Sequence, residues 1–293
     1  MATRSQWIAG TRPRTLPAAI APVLVGTAIA QFDGRARFGL AVCALLVALA
    51  LQIGVNFAND YSDGIRGTDD VRVGPVRLVG QKLAAPALVK RAAFLSFAVA
   101  GVAGLIMAIV SGLWLLLPVG LSAMLAAWFY TGGTKPYGYL GFGEAFVFTY
   151  FGLVAVIGTA ASQTGNISTL AILGGVSCGL LSTAILLANN VRDIPSDTSA
   201  GKKTLAVRLG DKKTRVLYQL TIVVGIGISI VMALIQDGPA LSWLAISAGF
   251  IAVEPVKVIR SGAQGKALIP VLAGTGKTLF VYSLILSFAI VNS

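Results

Sequence analysis

Asn59 and Asp63 stand four residues apart in the stretch GVNFANDYSDGIRGTDDVRVGP. Asn189 and Asp193 repeat that spacing in LLANNVRDIPSDTSAGKKTLAVRLG, where Asp197 follows after another four residues. Arg77-Leu78 and Arg208-Leu209 trail the two motifs at nearly the same offset. On a helix, residues at i, i+4 and i+8 advance by about 40° per step and line one face. Each motif therefore reads as a column of oxygen ligands, Asn59 and Asp63 from the first and Asn189, Asp193 and Asp197 from the second, with Asp60 and Asp69 as further candidates in the first. Two such columns suit Mg²⁺, a hard cation usually held jointly with substrate phosphates. Arg66, Arg192, Lys202 and Lys203, close by in sequence, and the more distant Lys135 are candidates for the remaining oxygens of a diphosphate. Acids that merely solvate loops or balance neighbouring arginines would explain either cluster alone, but not the shared spacing.

The rest of the chain is apolar. Of its 293 residues 56% are hydrophobic and only 12% charged, against about 25% charged in soluble domains. That composition predicts a polytopic, all-α membrane protein. Histidine is absent, which removes imidazole bases and most zinc sites. Cys43 and Cys178 sit singly in apolar runs and suggest neither a disulfide nor a metal site. The net charge of +12 points to basic cytoplasmic loops, and no nucleic-acid partner is expected. The apolar opening TLPAAIAPVLVGTAIA imitates a signal peptide but reads better as a retained first span.

A bilayer core takes roughly 20 mostly apolar helical residues. Runs of that kind lie near 15–31, 38–58, 87–110, 113–130, 142–162, 167–188, 216–236, 240–257 and 268–290. Nine spans are expected, forming one transmembrane domain over residues 1–293. With the N-terminus in the cytoplasm, every Lys and Arg except Arg35 and Arg37 falls on the cytoplasmic side, as the positive-inside rule favours. Both acid motifs then lie at the cytoplasmic ends of even-numbered spans. GTGKT at 274–278 imitates a phosphate-binding loop, yet Val271 replaces the required glycine, so no nucleotide role is expected.

These features resemble the UbiA superfamily of intramembrane prenyltransferases. Its Asn-x₃-Asp-x₃-Asp pattern is met in full by Asn189, Asp193 and Asp197, whereas the first motif has Gly67 in the third place. That variant, together with RPRTLPAAIAPVLVGT, GPVRLVG, YTGGTKPYGYLGFGE, ANNVRDIPSD and GKKTLAVRLG, is similar to the 1,4-dihydroxy-2-naphthoate prenyltransferase branch of menaquinone synthesis. The resemblance implies a nine-helix fold, Mg²⁺ as cofactor, and polyprenyl diphosphate and 1,4-dihydroxy-2-naphthoate as substrates within the lipid bilayer. It also implies that Asp60, Asp63, Asp193 and Asp197 serve catalysis through the metal. The departure leaves open which of Asp60, Asp69 and Asp70 supplies the missing third ligand.

An acceptor carboxylate would suit Arg12, Arg14 or Arg77. Tyr137, in KPYGY, is the favoured member of an aromatic wall that would face an allylic cation. Phe57, Tyr61, Trp128, Tyr130, Phe146 and Tyr150 share that reading with an interfacial aromatic belt. Glu144 in GFGE is either an acceptor-site base or a helix N-terminal acid favoured by the dipole. Two rival readings remain: a superfamily member acting on 4-hydroxybenzoate, haem or a sugar phosphate, and a cation-coupled transporter with paired acids.

Overall fold

The computed structural model describes residues 2–67 and 76–293; Asp69, Asp70 and Arg72 lie outside them. Among the described residues there are helices and turns and no strand. The chain opens with α1 (Arg4–Gly10), held at its start by a capping box between Thr3 and Gln6. A short 3₁₀ turn at Pro13–Thr15 leads into α2 (Pro17–Phe32), and α3 (Phe38–Ile65) and α4 (Pro86–Ser111) follow. Pro17 and Pro86 sit in the first turns of their helices, where a missing N–H costs nothing. Next come α5 (Leu116–Phe129), α6 (Gly143–Phe148) and α7 (Ala155–Thr164), the last two joined by a π-helical stretch over Thr149–Val154. The chain closes with α8 (Thr169–Ser199), α9 (Leu205–Leu234), α10 (Gly249–Arg260) and α11 (Ile269–Val291).

Seven helical segments are long and apolar enough to cross a membrane: Phe38–Ile65, Pro86–Ser111, Gly143–Thr164, Thr169–Ser199, Leu205–Leu234, Ala240–Arg260 and Gly265–Val291. An eighth is available if Arg4–Thr15 and Pro17–Phe32, bent by 51°, act as one span. The remaining apolar stretch forms the shorter helix α5.

Packing divides the bundle unequally. The larger core draws on α2, α7, α8, α9, α10 and α11, with Ile29, Leu181, Leu187, Tyr218, Tyr282 and Leu286 fully buried. A smaller core joins α3 and α4 through Phe57, Val89 and Phe97 and takes in Leu78 and Val79 from the connection between them. The backbones of the π-helical stretch and α8 nearly touch. A Cβ on Gly152 would collide with Gly175 and Gly179 of α8, so small residues permit this approach where apolar burial alone gives little drive. Between the two cores a cavity opens, and the acid motifs stand at its polar end.

Candidate active site

The two motifs occupy the C-terminal parts of α3 and α8, in different partners' company. Asp63 is 2% exposed; its Oδ1 accepts a hydrogen bond from the Tyr139 phenol at 2.5 Å. Lys202 Nζ lies 3.6 Å from the same oxygen and 3.9 Å from Asp197 Oδ1. One ammonium thus stands between the two motifs, over the Tyr139 ring at 4.4 Å. The Lys202 N–H also donates to the Asp197 carbonyl at 2.8 Å, and the Lys203 N–H to the Tyr139 carbonyl at 2.8 Å. These bonds fix the turn after α8 against the Tyr137–Leu140 segment.

Asn59 accepts a hydrogen bond from Thr131. Arg66 donates to the Thr131 and Gly133 carbonyls, so its guanidinium braces the turn after α5. Asp193 is gripped at both oxygens by Arg192, at 2.7 and 2.8 Å, and the same guanidinium reaches Asn189 Oδ1 at 2.6 Å.

The cavity has a volume of about 410 Å³. Its polar end is lined by Arg12, Asn56, Asn59, Asp63, Arg77, Tyr139, Asn189, Asn190, Asp197 and Lys202. From there it runs between apolar walls of α3, α4, α5, α6, the π-helical stretch and α7 that include Val47, Leu51, Met107, Leu121, Phe146, Val154 and Ala155. Such a space accepts a charged head at one end and an isoprenoid chain along the other.

The structure departs from the sequence expectation at several positions. Asp60 points away from the cavity: its Oδ2 accepts from the Leu78 N–H at 2.6 Å and its Oδ1 from the Val79 N–H at 3.1 Å. Arg14 is exposed and outside the cavity lining, while Arg12 lies in it. The reason is local, since Arg12 adopts a left-handed conformation (φ 54°) that turns the chain ahead of the 3₁₀ segment. Thr15 Oγ1 secures that turn by donating to the Arg12 carbonyl and accepting from Gln52 and Asn56 of α3. Lys135 and Lys203 are exposed and also stand outside the lining. Glu144 is buried against α8, where its Oε1 accepts from the Asn190 amide at 2.8 Å, and it is Asn190 that faces the cavity.

Tyr137 does line the cavity, stacked on Phe146 with centroids 4.0 Å apart and donating to the Ala126 carbonyl. Burial, reinforced by the Tyr130 and Tyr150 phenols, pushes its pKa above the usual phenol range. The group stays protonated at neutral pH and is no base. Tyr139, Thr131 and Asn190 were not singled out by sequence reasoning. The one available signal was position, Tyr139 falling two residues beyond Tyr137 and Asn190 directly after Asn189.

Comparison with known proteins accords with this geometry. Residues 19–268 match the UbiA prenyltransferase family. The chain belongs to that family. Similar curated relatives are the 1,4-dihydroxy-2-naphthoate octaprenyltransferases of Mycobacterium tuberculosis, 49% identical over 99% of this chain and 98% of the relative, and of Escherichia coli, 34% identical over 96% and 95%. The fold is similar to that of a UbiA homologue from Archaeoglobus fulgidus bound to GPP and Mg²⁺, with a TM-score of 0.70, 14% identity, and coverage of 98% of this chain and 100% of the other. The transporter reading is thereby set aside, and the chain is a multi-pass membrane prenyltransferase of this family.

The donor set at the polar end is all oxygen, from Asn59, Asp63, Asn189 and Asp197, with neither sulfur nor imidazole, and Asp193 lies on the same helix as the last two. That chemistry fits a hard divalent cation such as Mg²⁺. Among the described residues no three acids cluster tightly enough to form a ready-made metal site. The acids stand in two groups with Lys202 between.

Proposed function

We propose that the protein transfers a polyprenyl group from polyprenyl diphosphate to 1,4-dihydroxy-2-naphthoate in menaquinone synthesis. The acceptor assignment rests on the names of the curated relatives and their full-length similarity. The chemistry rests on one observation: Lys202 bridges Asp63 of the first motif and Asp197 of the second at the polar end of an apolar cavity.

In this reading Asn59, Asp63, Asn189, Asp193 and Asp197 hold Mg²⁺, which when bound supplies Lewis-acid neutralisation of the diphosphate. Arg192 and Lys202, which neutralise these carboxylates here, turn to the phosphate oxygens. The C1–oxygen bond of the prenyl chain breaks with its electrons leaving on diphosphate. Ring electrons of the naphthoate form the new C–C bond, and the acceptor's carboxylate departs as CO₂, its bonding pair returning to the ring. Tyr137, Phe146 and Tyr150 present π faces to the allylic centre. Arg12 and Arg77 take the acceptor carboxylate through charge-assisted hydrogen bonds. The isoprenoid tail lies along the apolar walls.

The membrane arrangement belongs to the same reading. The bent pair and α5 complete nine crossings in a single domain, with the N-terminus and both motifs cytoplasmic, as the positions of the basic residues favour. A membrane-impermeant thiol reagent applied to intact cells checks the sidedness. With Cys43 and Cys178 replaced by serine, a cysteine at Arg35 is expected to react and one at Lys203 to stay unmodified.

The activity test uses the purified protein in nanodiscs with a labelled prenyl diphosphate and a panel of aromatic acids. Prenylated product and equimolar CO₂ are expected from 1,4-dihydroxy-2-naphthoate, with loss of turnover in EDTA and recovery on adding Mg²⁺. A preference for 4-hydroxybenzoate, or turnover indifferent to chelation, would reject the assignment.

A further inference from the structure

The acid that breaks the motif pattern has an unusual environment. Asp60 is 1% exposed on α3, yet it takes no part in the cavity lining. Both of its oxygens accept backbone N–H groups, those of Leu78 and Val79. A buried carboxylate held by two adjacent amides is a strong, directional anchor, because charge-assisted hydrogen bonds are about twice as strong as neutral ones.

The anchored segment is otherwise tightly fastened. Leu83 and Ala84 both donate to the Leu78 carbonyl, and Gln81 donates to that of Arg77. Leu78 is fully buried, and Gly10 and Phe57 lie close beneath it. Val79 sits against α3 only because Gly64 has no side chain; a Cβ there would lie 2.5 Å from Val79 Cγ1.

The residue immediately before the two amides is Arg77. It is 6% exposed and lines the polar end of the cavity beside Arg12. Arg77 and Arg12 are the cations that act electrostatically on Asp60. Both guanidiniums stand at the polar end of the cavity, where the carboxylate of a ligand would meet them through charge-assisted hydrogen bonds.

We propose that Asp60 is a positioning residue and not a metal ligand: by gripping the Leu78 and Val79 amides it sets Arg77 where the guanidinium meets the carboxylate of an aromatic acid acceptor. This rests on the naphthoate reading above. Asp60 works on the acceptor half of the reaction, and Asp63, three residues along the same helix, works on the diphosphate half.

The test compares wild type with Asp60→Asn, Arg77→Gln, the double variant, Arg77→Lys and Asp63→Asn, all in nanodiscs. It reads three quantities: KM for 1,4-dihydroxy-2-naphthoate, KM for the prenyl diphosphate, and the Mg²⁺ concentration at half-maximal rate. Binding of the naphthoate without prenyl diphosphate gives a fourth. An asparagine keeps one acceptor oxygen but presents an NH₂ to the second amide, so one grip is lost. Asp60→Asn should raise acceptor KM and weaken naphthoate binding by about tenfold, leaving donor KM and Mg²⁺ response within about twofold. Arg77→Gln should do the same, and the double variant should be no worse than Arg77→Gln alone, since the two act through one contact.

An Asp60→Asn protein with a shifted Mg²⁺ response, like that expected of Asp63→Asn, overturns the proposal. So does full additivity in the double variant. Should Asp60→Asn fail to fold, Arg77→Lys decides, because it keeps the grip and the charge but loses the fork. A rise in acceptor KM alone supports the proposal, and a rise in donor KM overturns it. A wild-type protein that neither binds nor prenylates the naphthoate marks failure of the underlying reading, an outcome distinct from all of these, and removes the proposal with it.

Discussion

The two acid motifs share a spacing and little else. On α3, Asp63 meets a phenol and an ammonium, while Asp60 is spent on the backbone of the following connection. On α8, Asp197 meets the same ammonium, while Asp193 is spent on the guanidinium beside it. Among the described residues each motif thus has one carboxylate in the cavity lining, Asp63 or Asp197, and one engaged outside it. The second kind differs in a telling way. Asp60 holds main chain, whereas Asp193 holds the guanidinium of Arg192. An equal interval in sequence does not make equal chemistry; the partners do.

Breaking the cavity-facing members should cost most. Asp63→Ala and Asp197→Ala are each expected to lower turnover by about a hundred- to a thousandfold while the protein still inserts and purifies as wild type does. Steady-state rates alongside thermal melting check this. Near-wild-type turnover in either variant would break the pairing of the motifs.

Asp193 sharpens the contrast through stability. Asp193→Ala strands the buried Arg192 and should destabilise the protein by about 3–5 kcal/mol, visible as a lowered Tm. Adding Arg192→Ala should restore much of the Tm, because both charges are then gone, but not the turnover. A double variant that recovers activity would show that this pair serves only the fold.

The smallest effects are expected outside the cavity. Arg14→Ala, Lys135→Ala and Lys203→Ala should each change either KM by less than about twofold, as exposed substitutions usually do. Arg12→Ala should instead raise acceptor KM well beyond that. Parallel substrate titrations of the four variants check the division; an Arg14 effect as large as that of Arg12 would erase it.

Much of this arrangement was legible before folding was considered. The nine apolar stretches all turn out helical, seven of them at spanning length, because hydrophobic runs bounded by Pro, Gly and charge leave few alternatives. The repeated interval matched Asp63 with Asp193; that Asp197 is the acid sharing Lys202 with Asp63 was not legible from it. Nor was side-chain direction. Arg12 and Arg14 are two residues apart and equivalent in composition, but the left-handed backbone at Arg12 and the Gln52–Thr15–Asn56 bonds send only Arg12 inward. Asp60 and Asp63 look alike as acids on one helix. They are only about 60° apart around it, yet the Leu78 and Val79 amides take Asp60 while Asp63 lines the cavity. Glu144 reads as a free acid in GFGE until α8 places Asn190 against it.

By itself the sequence determined a helical membrane chain whose acids come in two matched groups, since hydrophobic periodicity and spacing are local properties. Only the tertiary structure decided which acids meet, which cations stand between them and which are spent on the scaffold. Those outcomes depend on contacts between residues far apart in the chain, such as Asp63 and Lys202, 139 positions apart, and on the few ångströms that separate a carboxylate from an amide or an ammonium.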